Sequence, residues 1–183
     1  MAAATEREQG GRLLLAAALG AAVAVALGVY GNVHDPSQEL DFTLFFGSTI
    51  SMKVYLATAA VGFAIVQVIS ATWVYGRLGV EPPPWAGDLH RVSGRLAFLL
   101  SLPVAYHCLW SLGFQDTDGR VLAHSLLGCA FYGAFAAKVI LVRSRELPGG
   151  ALPIAGGLTF AVLVAVWYSS AVWFIGESGW PPL

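Results

Sequence analysis

Two histidines, His107 and His124, stand in apolar runs on either side of a short polar turn, in AYHCLWSLGFQDTDGRVLAHSLLG at residues 105 to 128. An imidazole in hydrocarbon marks a functional site by default, although it can also serve only as a hydrogen-bonding bridge between helices. Two neutral imidazoles facing one another across a helical bundle are the axial pair that a b-type haem iron takes. The neighbouring residues suit that chemistry. Gly128 lies four residues after His124, on the same helix face, where a missing side chain would let a flat macrocycle approach the backbone. Phe131, Tyr132 and Phe135 continue that stripe, and Pro103, four residues before His107, could kink its helix and open space. Arg120, just outside His124, could pair with a haem propionate, and Lys53 is a second candidate. Each has a plainer role: close helix packing for Gly128, core or lipid contact for the aromatics, interfacial anchoring for Arg120.

The other ligand types are less well placed. His34, His107, His124, Cys108 and Met52 together suggest copper, but Cys108 follows His107 directly and points about 100° away from it on a helix. Cys108 and Cys129 have no disulfide or zinc spacing and read as small packed residues. His90 is 17 residues before His107, about 25 Å along a helix, so one iron cannot take both. With Arg91 and Arg95 it reads as an interfacial basic cluster that could meet lipid or quinone headgroups, or simply as a solvated helix start capped by Asp88. Gln67, Tyr168, Ser169 and Ser170 are polar groups within apolar runs that serve equally as a polar path or as interhelical glue.

The elements that must position these residues are membrane helices. The chain is 57% hydrophobic and 11% charged, against about 25% charged in an ordinary soluble domain. Five runs reach the length of about 20 residues that a helix needs to cross hydrocarbon: roughly 13–33, 52–75, 92–112, 121–142 and 151–175. The expected fold is therefore all-α, a single polytopic bundle of five transmembrane helices with short loops, in the plasma membrane. Arg7, Arg12, Arg77, Arg91, Arg95, Lys138, Arg143 and Arg145 fall on one side of such a bundle and only Lys53 and Arg120 on the other, which puts the N-terminus in the cytoplasm. The acidic stretches around Asp35 to Asp41 and Asp116 to Asp118 then lie outside. The first run could be read as a cleaved secretory signal. It is long for a signal core and preceded by Glu6 and Glu8, so a retained span is expected; a four-helix remainder would still carry His107 and His124.

A formal net charge of −1 and the lack of any Lys/Arg-rich block exclude a nucleic-acid partner. No intramembrane carboxylate supports a proton-coupled carrier, and no nucleophile–base pair, phosphate loop or HExxH motif supports hydrolysis.

The segments HRVSGRLAFLLSLPVAYHCLW and HSLLGCAFYGAFAAKVILVRS, with LPIAGGLTF and WYSSAVWF, resemble an uncharacterised family of small actinobacterial membrane proteins. Through H-x-x-x-G and histidines in successive helices, that family resembles the transmembrane b-type cytochromes, including the ascorbate-dependent cytochromes and the ferric reductases. The resemblance implies electron transfer through haem b. Those cytochromes carry two haems with a histidine pair at each face, whereas this chain has only the outer pair, His107 and His124. The expectation is one haem near the outer face, exchanging electrons with a quinol or a soluble redox protein, as an oxidoreductase component. The rival is a non-catalytic accessory subunit of a larger membrane complex, or a homo-oligomer, suggested by the small-residue face AAALGAAVAVALG. A small transporter is the third reading.

Overall fold

A computed structural model describes residues 2–37, 42–144 and 147–183. Of the residues used above to orient the chain, Asp41 and Arg145 lie outside them. Helix α1 runs Ala2–Val33, α2 Thr49–Val74, α3 Ala86–Tyr106, α4 Gly119–Arg143 and α5 Ala151–Trp167; a short α6, Trp173–Ser178, closes the chain. α3 continues into a π-helical turn over His107–Ser111, and α5 is joined to α6 by another over Tyr168–Val172. Among the described residues the regular structure is all helical, and five helices are long and apolar enough to cross a membrane. Many of their large aliphatic residues face outward, Leu14, Val25 and Ile154 being more than 60% exposed. A bilayer tolerates such a surface, because lipid tails are as apolar as leucine.

The helix boundaries extend past the apolar runs where the flanking residues favour helix. α3 begins at Ala86 rather than near Val92, because Pro82 to Pro84 end before its first turn and the charged residues that follow are compatible with helix but not with hydrocarbon. Its apolar window has the lowest mean hydropathy of the five, 1.3 against 2.3 for the first helix. The residue at the start of α3 is Trp85, with no side-chain cap; Asp88 instead pairs with Arg91 one turn on. α2 and α4 begin on side-chain caps: Ser48 Oγ accepts from the Ser51 N–H at 3.1 Å, and Asp118 Oδ1 from the Val121 N–H at 2.9 Å. Between α2 and α3 the chain reverses through Gly76 and Gly79, both at positive φ, which only glycine adopts freely.

The chain divides into two compact units. The first, Met1–Asp35 with Gly113–Val166, contains α1, α4 and nearly all of α5. α1 and α4 pack through small residues. A Cβ on Gly20 would lie 2.6 Å from the Gly133 carbonyl oxygen and 2.9 Å from Ala137 Cβ, while one on Gly133 would meet Gly20 O at 2.5 Å and Ala24 Cβ at 2.9 Å. One turn or two further along, Gly28 faces Cys129 Sγ. Paired glycines let two helix backbones approach, which maximises dispersion contacts where water supplies no hydrophobic drive. Gly20, Ala24 and Gly28 of the small-residue face of α1 are used in this contact, while Ala17, Ala18, Ala21, Ala22 and Ala26 stay exposed.

The second unit, Pro36–Leu112 with Trp167–Leu183, is built on α2 and α3. Met52, Leu56, Ala60 and Ala64 recur every four residues and are buried, as are Ser93, Ala97 and Ser101 on α3. Toward the Thr49 end of α2, Met52, Leu56 and Phe46 form an apolar cluster against which Phe42, Tyr55, Leu100 and Val104 pack. The end of the chain is tied to α2: Trp167 Nε1 donates to Thr58 Oγ1 at 3.0 Å, and Tyr55 OH donates to Pro181 O at 3.0 Å.

Candidate functional site

His107 is fully enclosed in the second unit, with no exposed surface, as are Ser51 and Ser111. Its position follows from the local sequence. Pro103 has no N–H to give the preceding turn, and one turn later the helix widens into the π-helical turn that starts at His107 and closes with Leu112 N–H to His107 O at 3.2 Å. Such π turns occur disproportionately at functional sites. The imidazole lies 4.7 Å from the Phe42 ring and edge-on to Tyr106.

The hydrogen bonding of His107 fixes its tautomer. Nε2 is 2.8 Å from the Phe42 carbonyl oxygen, and a carbonyl can only accept, so Nε2 carries the proton. Nδ1 is buried and without a hydrogen-bond partner. Ser111 Oγ and Thr49 Oγ1 are buried without partners as well, at the same end of the α2–α3 pair. Buried polar atoms in native proteins are nearly always satisfied, so each exception calls for an explanation such as a bound water, an ion or a redox role.

Phe42 is supplied by a tight loop that leads into α2. In it Leu44 adopts φ 54°, a left-handed conformation that costs a leucine about 1–2 kcal/mol. Phe46 N–H bonds Thr43 O at 3.1 Å, and Gly47 sits against Leu183, whose carbonyl oxygen a Cβ would meet at 3.0 Å. Neither the Phe42 carbonyl nor the unpartnered Ser111 and Thr49 could be singled out by residue type. Pro103 was the one local signal of an altered helix end.

The remaining candidates lie in the first unit. His124, Gly128 and Arg120 are on α4, His124 and Arg120 half-buried. Ser125, next to His124, donates to Gln115 O at 2.8 Å and accepts from the Gln115 N–H at 3.2 Å, which holds the preceding turn against the helix. A Cβ on Gly128 would meet nothing within 4 Å, so close packing is not what this glycine serves; Gly133 makes that contact instead. Phe131 is buried, edge-on to Tyr132 and tilted to Phe135. His34 stacks on Tyr30 at 5.1 Å between ring centres.

His90 is not simply a solvated basic group. Its Nδ1 lies 3.1 Å from both Gln67 O and Ser70 Oγ, and Gln67 Nε2 donates to the His90 main-chain oxygen. Gly94 leaves the room that the Gln67 side chain fills. The matching H-x-x-x-G patterns at 90–94 and 124–128 thus have different uses: Gly94 admits a polar cross-link, and Gly128 borders open space. Among the described residues no cluster of three or more His, Cys, Asp and Glu side chains could hold a metal ion. Met52 is instead in the apolar cluster.

Residues 13–182 match the model of a family described as a family of unknown function, DUF6529. Neither a curated protein nor a solved structure matches the chain.

Proposed function

The chain belongs to DUF6529, and from that premise, which brings no activity with it, we propose that this membrane protein binds one b-type haem through His107 and His124 and takes part in electron transfer. The observation that carries the reading is His107 itself: a fully buried imidazole with an unpartnered nitrogen, at the start of a π-helical turn in an apolar helix. Gly128 fits as well, since the space beside it is what a macrocycle near His124 would need. Arg120 is the candidate partner for a propionate. The haem would supply one-electron chemistry, and the chain would supply ligands, orientation and a low-dielectric surround.

One condition follows from the geometry. Coordination through Nε2 requires His107 to release the Phe42 carbonyl, because that nitrogen is already committed. The same bond favours the second reading, an accessory membrane subunit in which His107 is a clamp between a loop and a helix. An absorption spectrum of the detergent-purified protein, oxidised and then dithionite-reduced, separates them. The haem reading expects a low-spin b-type spectrum that is lost in His107→Ala and in His124→Ala. A protein made with ample haem that shows no such spectrum, and still folds, leaves His107 as a clamp.

A further inference from the structure

Most buried hydroxyls of this protein are hydrogen-bonded. Ser51 Oγ is 2.7 Å from Ser48 Oγ, and Ser70, Ser93, Ser101 and Thr159 donate to main-chain oxygens of their own helices. Among the described buried serines and threonines the exceptions are Thr49 and Ser111, and both belong to the end of the α2–α3 pair that holds His107. Leu100 and Val104 of α3 pack against the cluster of Phe46, Met52 and Leu56. Thr49 is three residues before Met52, and His107 three after Val104, so on these antiparallel helices both stand one turn beyond the cluster, on its side and at one level. Phe42 ties the two together, since it packs against the cluster and its ring lies 4.7 Å from the imidazole. Ser111 joins them through the π-helical turn. The closing bond of that turn, Leu112 N–H to His107 O, spans five positions, so a turn takes a little over four residues and His107 and Ser111 project alike.

A hydroxyl rotates to meet any partner within reach, yet neither Thr49 Oγ1 nor Ser111 Oγ bonds His107 Nδ1 directly. Polar groups that share an enclosure beyond direct hydrogen-bond distance are joined by a bridging molecule. The chemistry around them narrows what that molecule is. Phe42, Phe46, Met52 and Val104 offer no counter-charge, and a buried unpaired ion is costly, so the bridge is neutral. It must donate as well as accept, to serve a ring nitrogen and two hydroxyls, and it must fit between packed helices. Water meets all three conditions, and about three protein partners is the usual number for a buried water.

We propose that a single water molecule is held between His107 Nδ1, Ser111 Oγ and Thr49 Oγ1, tying the end of α3 to the start of α2. The site uses the ring nitrogen opposite the one proposed for haem iron, so it does not depend on that reading. Thr49→Val and Ser111→Ala remove the hydroxyls with little change of shape, and the sign of their effect is the test. A hydroxyl with no partner is a buried cost, and deleting it would raise the unfolding midpoint in detergent. A hydroxyl that holds a water leaves that water short of a partner when deleted, so each variant should unfold at a lower midpoint. The double variant should lose less than the sum, because both changes act on one molecule. A second measurement needs neither variant. In water-edited solid-state NMR of the unaltered chain in bilayers, labelled at histidine nitrogen, magnetisation should pass from water to the His107 ring, although that ring has no exposed surface. The His107 signal is assigned by its loss in His107→Gln. A raised midpoint in either variant, strict additivity in the double variant, or no transfer from water to the His107 ring would overturn the proposal.

Discussion

The Nε2 of His107 and the main-chain oxygen of Phe42, 65 positions apart, are 2.8 Å from one another at the end of the α2–α3 pair opposite its connecting turn. This bond joins the loop before α2 to the π-helical turn after α3, so His107→Ala removes a donor from a buried carbonyl and leaves a cavity. The expected loss is about 2 kcal/mol or more. Thermal unfolding followed by far-ultraviolet circular dichroism in detergent should show a lower midpoint. His107→Gln, which keeps a donor amide, should recover part of it, and full stability in His107→Ala would show that the bond contributes nothing.

Gly20 and Gly128 should respond oppositely to a side chain. Gly20→Leu must displace the Gly133 backbone, and overpacking of this kind costs about 1–3 kcal/mol. Gly128→Leu enters open space in a helix interior and should raise stability by about 0.5–1 kcal/mol, since glycine loses more chain entropy there. Under the haem reading it should nonetheless lower the bound haem, so the absorbance per chain and the midpoint, measured on one sample, separate packing from cofactor.

Leu44 offers a stabilising substitution. Leu44→Gly relieves about 1–2 kcal/mol of left-handed strain and adds back about 0.5–1 kcal/mol of chain entropy. Its side chain is 53% exposed, so little packing is lost. A net gain of about 0–1.5 kcal/mol, read as a rise in the unfolding midpoint, is expected. A fall would show that the exposed leucine is covered by lipid or by a partner.

The His90 cross-link can be weighed by a double-mutant cycle. Ser70 Oγ donates to Val66 O at 2.7 Å and lies 3.1 Å from His90 Nδ1, so Ser70→Ala and His90→Ala should be non-additive. Hydrogen bonds between membrane helices average about 0.6 kcal/mol in such cycles, and a coupling of that size is expected here. Additivity would assign the clustering to the Gln67 contacts alone.

Tyr55→Phe removes the hydroxyl that holds Pro181 and should cost about 1 kcal/mol. Hydrogen exchange should then rise in the last residues of the chain and stay unchanged in α4, which lies in the other unit.

The number of helices was legible in the sequence, because a bilayer demands about 20 apolar residues per span and few charges within them, a one-dimensional requirement. Helix ends were less legible. Residues 86–91 have no hydrophobic signal, yet they extend α3 because helix propensity does not depend on apolarity. His107 could be recognised as unusual from its apolar setting, but its state could not. The tautomer depends on a main-chain oxygen 65 residues away, and every residue type carries that oxygen alike. Likewise H-x-x-x-G occurs twice, and only packing decides that Gly94 makes room for Gln67 while Gly128 borders open space. The sequence by itself determined an all-helical chain with five helices able to span a membrane, since hydropathy and length act locally along the chain. Tertiary structure decided which glycines bring backbones together and which nitrogen of His107 donates to a main-chain oxygen, since each depends on residues brought close only by helix packing.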